Sequence, residues 1–194
     1  MKKYIAELLG TFTLALVVGL SLKVAFPVST PILAGLVLLL FVYTIGHISG
    51  AHINPAVTIG AWSIGKISVS EAVMYIISQV IGAGLALMLV SSTVGLATVP
   101  VVMSWTVLGA ELLGTFFFTF GIASVIYGKT PTDASGVVVG GSLLLGITIA
   151  AMLGSNGMLN PAVAFGVASF NWAYLFGPII GSVLGMQAYK HLAH

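Results

Sequence analysis

The chain has 194 residues, of which 59% are hydrophobic and 5% charged, with a mean hydropathy of +1.18. A soluble domain carries roughly a quarter charged residues to face water, so this composition excludes an ordinary soluble fold and makes the bilayer the solvent. Net charge is only +2, all six basic residues are lysines and there is no cysteine, which argues against a nucleic-acid patch and excludes disulfides, thiolate metal sites and thiol catalysis.

Apolar stretches long enough to cross a membrane fall at about 4–25, 31–48, 70–95, 102–127, 135–153 and 172–190. Lys2 and Lys3 precede the first as in a signal peptide, but the run continues to about Phe26, so a retained span is expected. Breaks between spans carry loop chemistry: Pro27 with Pro31, Lys66 with Ser68, Pro100, Lys129-Thr-Pro-Thr-Asp133 and Asn171. The runs are continuous and do not alternate, so six helices are predicted and not a β-barrel. With six crossings, Lys2, Lys3, Lys66, Lys129 and Lys190 share one side and Lys23 alone lies on the other. That asymmetry places both termini in the cytoplasm.

The chain repeats itself. Ala6-Glu-Leu-Leu-Gly-Thr-Phe12 recurs unchanged as Ala110-Glu-Leu-Leu-Gly-Thr-Phe116, and Ser49-Gly-Ala-His-Ile-Asn-Pro-Ala-Val-Thr-Ile-Gly60 returns as Ser155-Asn-Gly-Met-Leu-Asn-Pro-Ala-Val-Ala-Phe-Gly166. The offsets are 104 and 106. Three spans per repeat, at about 1–98 and 103–194, turn the second upside down relative to the first within a single transmembrane domain. An Asn-Pro pair starts a helix, because Asn caps it and Pro fits the first position. The segments from Pro55 to about Ser63 and from Pro161 to about Ala168 are half the length of a span, and each follows a Gly-containing polar stretch. Such backbone at membrane depth must pack on protein or line a wet cavity.

Inverted symmetry would bring the two half-helices together near the midplane, N-terminus to N-terminus. Their positive ends repel cations, while Asn54 and Asn160 donate hydrogen bonds to a neutral molecule. Carbonyls of Gly50, Ala51, His52 and Ile53, and of Asn156, Gly157, Met158 and Leu159, are expected to form an acceptor ladder through the pore. The expected motif residues are Asn54, Pro55 and Ala56, then Asn160, Pro161 and Ala162.

These residues resemble the major intrinsic protein family of aquaporins and aquaglyceroporins over essentially the whole chain. Gly46-His-Ile-Ser-Gly-Ala-His-Ile-Asn-Pro-Ala-Val-Thr58 is close to the family's first signature, and Glu-x-x-Gly-Thr at 7–11 and 111–115 resembles the motif opening its first and fourth helices. The resemblance implies an all-α channel of six tilted helices and two half-helices, with four subunits in a homotetramer. It implies that Glu7, Glu111 and His47 brace the half-helix loops, and that Gly82 and Gly181 are small residues at helix crossings. It puts the narrow filter at Ala34, Thr148, Gly157 and Val163. The family usually carries Arg where Val163 stands, and this chain has no arginine. That departure implies a wide, weakly polar filter, with the Thr148 hydroxyl and the Gly157 carbonyl as its polar groups. Subtype markers disagree: Ala164 resembles the water channels, and Tyr174-Leu175 before Phe176-Gly-Pro178 is half of each pattern.

Other polar residues read as structural. Gln79, beside Gly82, is expected to make a helix–helix hydrogen bond, and His191 and His194 lie in a short tail. His47 and His52 lack the acidic or thiol neighbours of a metal site, although a pH-sensing role stays open. Trp62, Trp105 and Trp172 sit near span ends as interfacial anchors. An aromatic such as Phe165 or Phe41 swinging in would narrow the expected filter. No nucleophile–base pair or phosphate loop occurs, so no catalysis, cofactor or metal is expected. The expected function is a passive channel for water and small uncharged solutes of glycerol or urea size, in the cell membrane. A water-selective channel, a secondary transporter coupled through Glu7 or Glu111, and a non-conducting protein of the same fold stand as alternatives.

Overall fold

A computed structural model of the chain describes residues 1–97, 99 and 103–193. Pro100, the start of the fourth expected span and His194 lie outside the described residues. Long helices run over α1 (Lys2–Lys23), α2 (Thr30–Ser49), α4 (Val69–Thr93), α5 (Trp105–Ile126), α6 (Ser135–Met152) and α8 (Trp172–Ala193). Short ones are α3 (Pro55–Ser63) and α7 (Pro161–Gly166), and a single 3₁₀ turn, Thr132–Ala134, precedes α6. Among the described residues, five helices are long and apolar enough to cross a membrane. The sixth crossing, α8, has 22 residues but ends on Lys190 and His191 and carries Pro178 inside. It packs on α5 as α4 packs on α1.

Local chemistry sets the boundaries. Ser68 and Ser104 accept the N–H groups of Glu71 and Val107, capping α4 and α5. Asn171 Oδ1 accepts from Ala173 and Tyr174 and starts α8. The second half-helix stops at Gly166, sooner than expected, because the chain turns through Ala168 in the left-handed region at φ 55°.

The packing has a two-fold pattern. Each repeat forms one layer of three long helices, α1 with α2 and α4, α5 with α6 and α8, and α2 meets α6 between them. The half-helices cross over: α3 packs more heavily on α8 than on its own α4, and α7 more heavily on α4 than on α8. Outward faces remain apolar, as α2 shows, where Ile32, Leu36, Leu40 and Tyr43 are exposed. That is the inverse of a soluble helix and is the face a bilayer or a neighbouring subunit requires.

Gly82 and Gly181 sit where long helices cross backbone to backbone. A Cβ at Gly82 would lie 2.3 Å from the carbonyl oxygen of Leu8, and one at Gly181 would lie 2.2 Å from that of Leu112. Both neighbours are backbone and cannot give way. Gly181→Ala is therefore expected to cost about 1–3 kcal/mol through overpacking and to lower the thermal unfolding midpoint in detergent. Gly141→Ala meets nothing within 4 Å and is expected to leave that midpoint unchanged. Equal midpoints for the two variants would show that the crossing is not held by backbone contact.

Candidate pore and filter

The two Asn-Pro-Ala segments meet in the middle of the molecule and hold each other. Asn54 Oδ1 accepts from the Ala56 N–H at 2.8 Å, and Asn160 Oδ1 accepts from Ala162 at 3.0 Å and Val163 at 3.3 Å. Those bonds cap the half-helices and fix which way each amide points. Each Nδ2 then reaches across the repeat boundary: Asn54 donates to the Leu159 carbonyl at 2.9 Å, and Asn160 to the Ile53 carbonyl at 3.0 Å. A primary amide has two N–H groups, so each asparagine keeps one for the cavity that both line. Both are nearly fully buried, as are Pro55, Ala56, Pro161 and Ala162.

The loops leading in are strained and tied down. Ala51, Ile53 and Leu159 all have positive φ, at 50°, 40° and 47°. Such conformations cost of order 1–3 kcal/mol each and persist only when their surroundings enforce them. Here the enforcers are buried carboxylates. Glu7 accepts from the Ser49 hydroxyl at 2.7 Å, the N–H groups of His52 and Ile53 at 3.0 and 2.6 Å, and Gln79 Nε2 at 2.8 Å. Glu111 accepts from the Ser155 hydroxyl and from the N–H groups of Met158 and Leu159 at 2.9 and 2.7 Å.

Tyrosines complete each tie, with the Tyr75 hydroxyl donating to the Ser49 carbonyl and Asn156 Nδ2 donating to the Tyr174 hydroxyl. Gln79 also donates to the Thr58 hydroxyl at 3.0 Å, so it is a loop brace as well as a helix–helix contact. The sequence analysis did not find the tyrosines. Their signal is the register of Gly82 and Gly181: seven residues before each glycine stands a tyrosine.

His47 is not a brace. It stands exposed in the last turn of α2 and makes no hydrogen bond among the described residues. His52 is buried, its Nδ1 3.2 Å from the Thr58 hydroxyl. Thr58 donates its one proton to the Asn54 carbonyl. His52 Nδ1 is therefore the donor, and the ring contributes to loop geometry.

Two cavities share His52. The one toward the α1–α2 connection, termed outer from the expected orientation, has about 120 Å³ and takes in Asn54, Asn160, His52, Ile53, Asn156, Gly157 and Met158 on one side. The inner one, about 250 Å³, takes in Ser49, Gly50, Ala51 and His52 and opens beside Lys66. The carbonyls of Gly50, Ala51, His52, Gly157 and Met158 accept no hydrogen bond from described residues, whereas those of Ile53 and Leu159 are engaged by the asparagines.

Three of the four expected filter positions, Ala34, Gly157 and Val163, line the outer cavity together. Thr148 does not. Its side chain is exposed on the outer surface of α6, and its hydroxyl donates back to the Leu144 carbonyl at 2.8 Å. Ile147 takes the inward place, on the buried stripe with Val139 and Leu143. It lies so close that a Cβ at Gly157 would be 2.9 Å from Ile147 Cγ2. Gly157 adopts φ 65°, so a side chain there would be strained as well as crowded. Of the aromatics, Phe118 lines the outer cavity; Phe165 points toward Gly84 and Phe41 toward Gly10.

Comparison with known proteins follows this geometry. The family model described as Major intrinsic protein matches residues 1–189. The chain belongs to that family. It is 33% identical over 216 residues to Aquaporin NIP1-1 of Arabidopsis thaliana, covering 98% of this chain and 73% of that protein. It is 36% identical over 175 residues to Aquaporin AqpM of Methanothermobacter marburgensis, covering 78% and 71%. The X-ray structure of the aquaglyceroporin from Plasmodium falciparum superposes with a TM-score of 0.77 at 24% identity, covering 97% of this chain and 95% of that one. The chain is thus a multi-pass integral membrane protein with the six-helix, two-half-helix aquaporin fold, and a channel in place of an enzyme.

Exchanging either carboxylate for its amide tests the ties. Glu7→Gln and Glu111→Gln each turn an accepting oxygen into a donor and oppose a loop N–H. The expected loss is about 1–3 kcal/mol per unmet donor, read as a lower thermal midpoint in detergent together with lower water permeability. Variants as stable and permeable as the parent would mean that the carboxylates do not hold the loops.

Proposed function

We propose that the protein is a passive pore for water and small uncharged solutes, up to the size of urea or glycerol, and that the loss of the filter arginine sets its selectivity. The observation that carries this is the part of the outer cavity wall formed by Ala34, Ile147, Gly157 and Val163: it holds no guanidinium, and Phe118 supplies the one phenyl ring elsewhere in the lining. Access is set by the narrowest side chains, and these are small or aliphatic. Family membership and the similarity to aquaporins support the channel reading.

Cations are excluded at the midplane. Both half-helices point their N-termini at the asparagines, and the free amide N–H of each adds donor density where a cation needs an acceptor. The contribution of α7, with six residues, is smaller than that of α3, with nine. The free carbonyls of both loops supply acceptors on either side, so a water file is oriented outward from the centre. A coupled transporter finds less support, because both buried carboxylates are saturated by loop donors and serve the fold. The chain forms one channel domain, with repeats at about 1–98 and 103–194, in a homotetramer in the cell membrane. Both termini are cytoplasmic, by the lysine asymmetry.

Stopped-flow light scattering on proteoliposomes tests the pore. Water, urea and glycerol are all expected to cross faster than in protein-free vesicles, and Val163→Arg is expected to restrict urea and glycerol while sparing water. Exclusion of both solutes by the parent would overturn the arginine-free filter as the cause of wider selectivity. Asn160→Asp places a carboxylate at the half-helix end and against the Ile53 carbonyl. It is expected to raise Na⁺ permeability far more than it changes water flux, and unchanged cation exclusion would place the barrier elsewhere.

A further inference from the structure

The two half-helices close with the same turn and hand on to different residues. At the end of α3, Gly65 adopts φ 76°; its N–H reaches the Trp62 carbonyl and the Lys66 N–H reaches that of Ala61, both at 2.9 Å. At the end of α7, Ala168 adopts φ 55°; its N–H reaches Phe165 at 3.0 Å and the Ser169 N–H reaches Ala164 at 2.8 Å. Such a turn fixes the backbone of the residue after the left-handed one. The inverted pair therefore carries an exposed Lys66 in one repeat and a buried, uncharged Ser169 in the equivalent place of the other.

The Lys66 side chain is held as well. Its Nζ lies 4.7 Å from the centroid of the Tyr127 ring, within the range of attraction between a cation and an aromatic face. Tyr127 stacks on Tyr189, which meets Phe120 edge to face at 5.0 Å. Among the described residues, Lys66 is the only Lys, Asp or Glu lining either cavity.

This ammonium faces features of opposite sign. The C-terminal end of α3 carries a partial negative charge, and the carbonyls of Gly50, Ala51 and His52 border the inner cavity. A hollow lined by carbonyl oxygens attracts hard cations. Of the acids on this side of the molecule, Glu71 is paired with Lys3, and neither it nor Asp133 lines the cavity. We propose that Lys66 is a charge-selecting residue of the inner mouth: held over the Tyr127 ring, its ammonium repels cations from the carbonyl-lined cavity while neutral and anionic solutes enter. The outer cavity has no such charge in its lining, so the two entrances differ in the ions they admit. This rests on the pore reading above and adds a second place at which charge is sensed.

The chain has no cysteine, so a single introduced one reports on its surroundings. Val42→Cys places it on the inner cavity wall and Thr30→Cys on the outer. In detergent at low salt, the rates of modification by an anionic sulfonate and a cationic trimethylammonium methanethiosulfonate are compared by mass spectrometry. At Val42→Cys, the ratio of anionic to cationic rate is expected to fall on the order of tenfold with Lys66→Gln and to be kept by Lys66→Arg. Tyr127→Leu is expected to lower it and Tyr127→Phe to keep it. At Thr30→Cys the ratio is expected not to follow Lys66, because α2 spans about 30 Å, some three Debye lengths at 0.1 M salt.

Ile126→Cys, also on the inner cavity wall, takes the place of Val42→Cys if that variant does not fold. The same ratio with Lys66 and with Lys66→Gln, or an inner cysteine that neither reagent modifies, would overturn the assignment of Lys66. Water flux through proteoliposomes of the parent reads the pore separately: flux above the protein-free level with an unmoved ratio overturns the Lys66 proposal alone, and flux at the protein-free level overturns the pore reading on which it rests.

Discussion

Everything in the pore depends on two buried carboxylates that accept hydrogen bonds from backbone that no regular structure satisfies. A re-entrant loop at membrane depth carries N–H groups that lipid cannot meet, and each unmet group is costly. Glu7 and Glu111 meet them, and the N–H groups they take include those of Ile53 and Leu159. These two residues sit in left-handed backbone, and their carbonyls receive the opposing asparagines. One residue in each loop is thus fixed on its N–H by its own repeat and on its C=O by the other. That reciprocity places the half-helices head to head and leaves each asparagine a single N–H for the solute.

From that frame the selectivity follows by position. The centre offers donors, and the loop carbonyls on either side offer acceptors. The remaining wall is side chain and free to differ. In this chain Val163 stands in that wall, three residues after Asn160, and the chain has no arginine. The fixed charge of the site is then reduced to backbone dipoles and the asparagine amides, while the nearest charged side chain on either cavity wall is Lys66 at the inner mouth. In the proposed reading, cation exclusion falls to the midplane and solute choice to the wall around Val163.

Much of this was legible in the sequence because repetition is a strong signal. Two identical heptapeptides and two Asn-Pro-Ala segments at offsets of 104 and 106 define an inverted pair of three-span units. Helix boundaries followed from capping residues and from Pro and Gly, and mostly agree to within three residues. What was not legible concerns rotation about a helix axis. Thr148 and Ile147 are neighbours in sequence and about 100° apart around α6; counting from the asparagines does not resolve one residue, whereas the buried stripe Val139, Leu143, Ile147 does. His47 was misplaced for the same reason, lying on the exposed side of the last turn of α2. Tyr75 and Tyr174 escaped notice because an aromatic in an apolar span reads as packing until its hydroxyl is seen at a loop.

The most direct measurement is amide hydrogen exchange of the loop residues in the reconstituted protein. The account predicts that the Ile53 and Leu159 N–H groups, although beside a wet pore, exchange as slowly as the interior of α5, because carboxylates hold them. Exchange at these two amides as fast as in the exposed loop around Gly128 would contradict it.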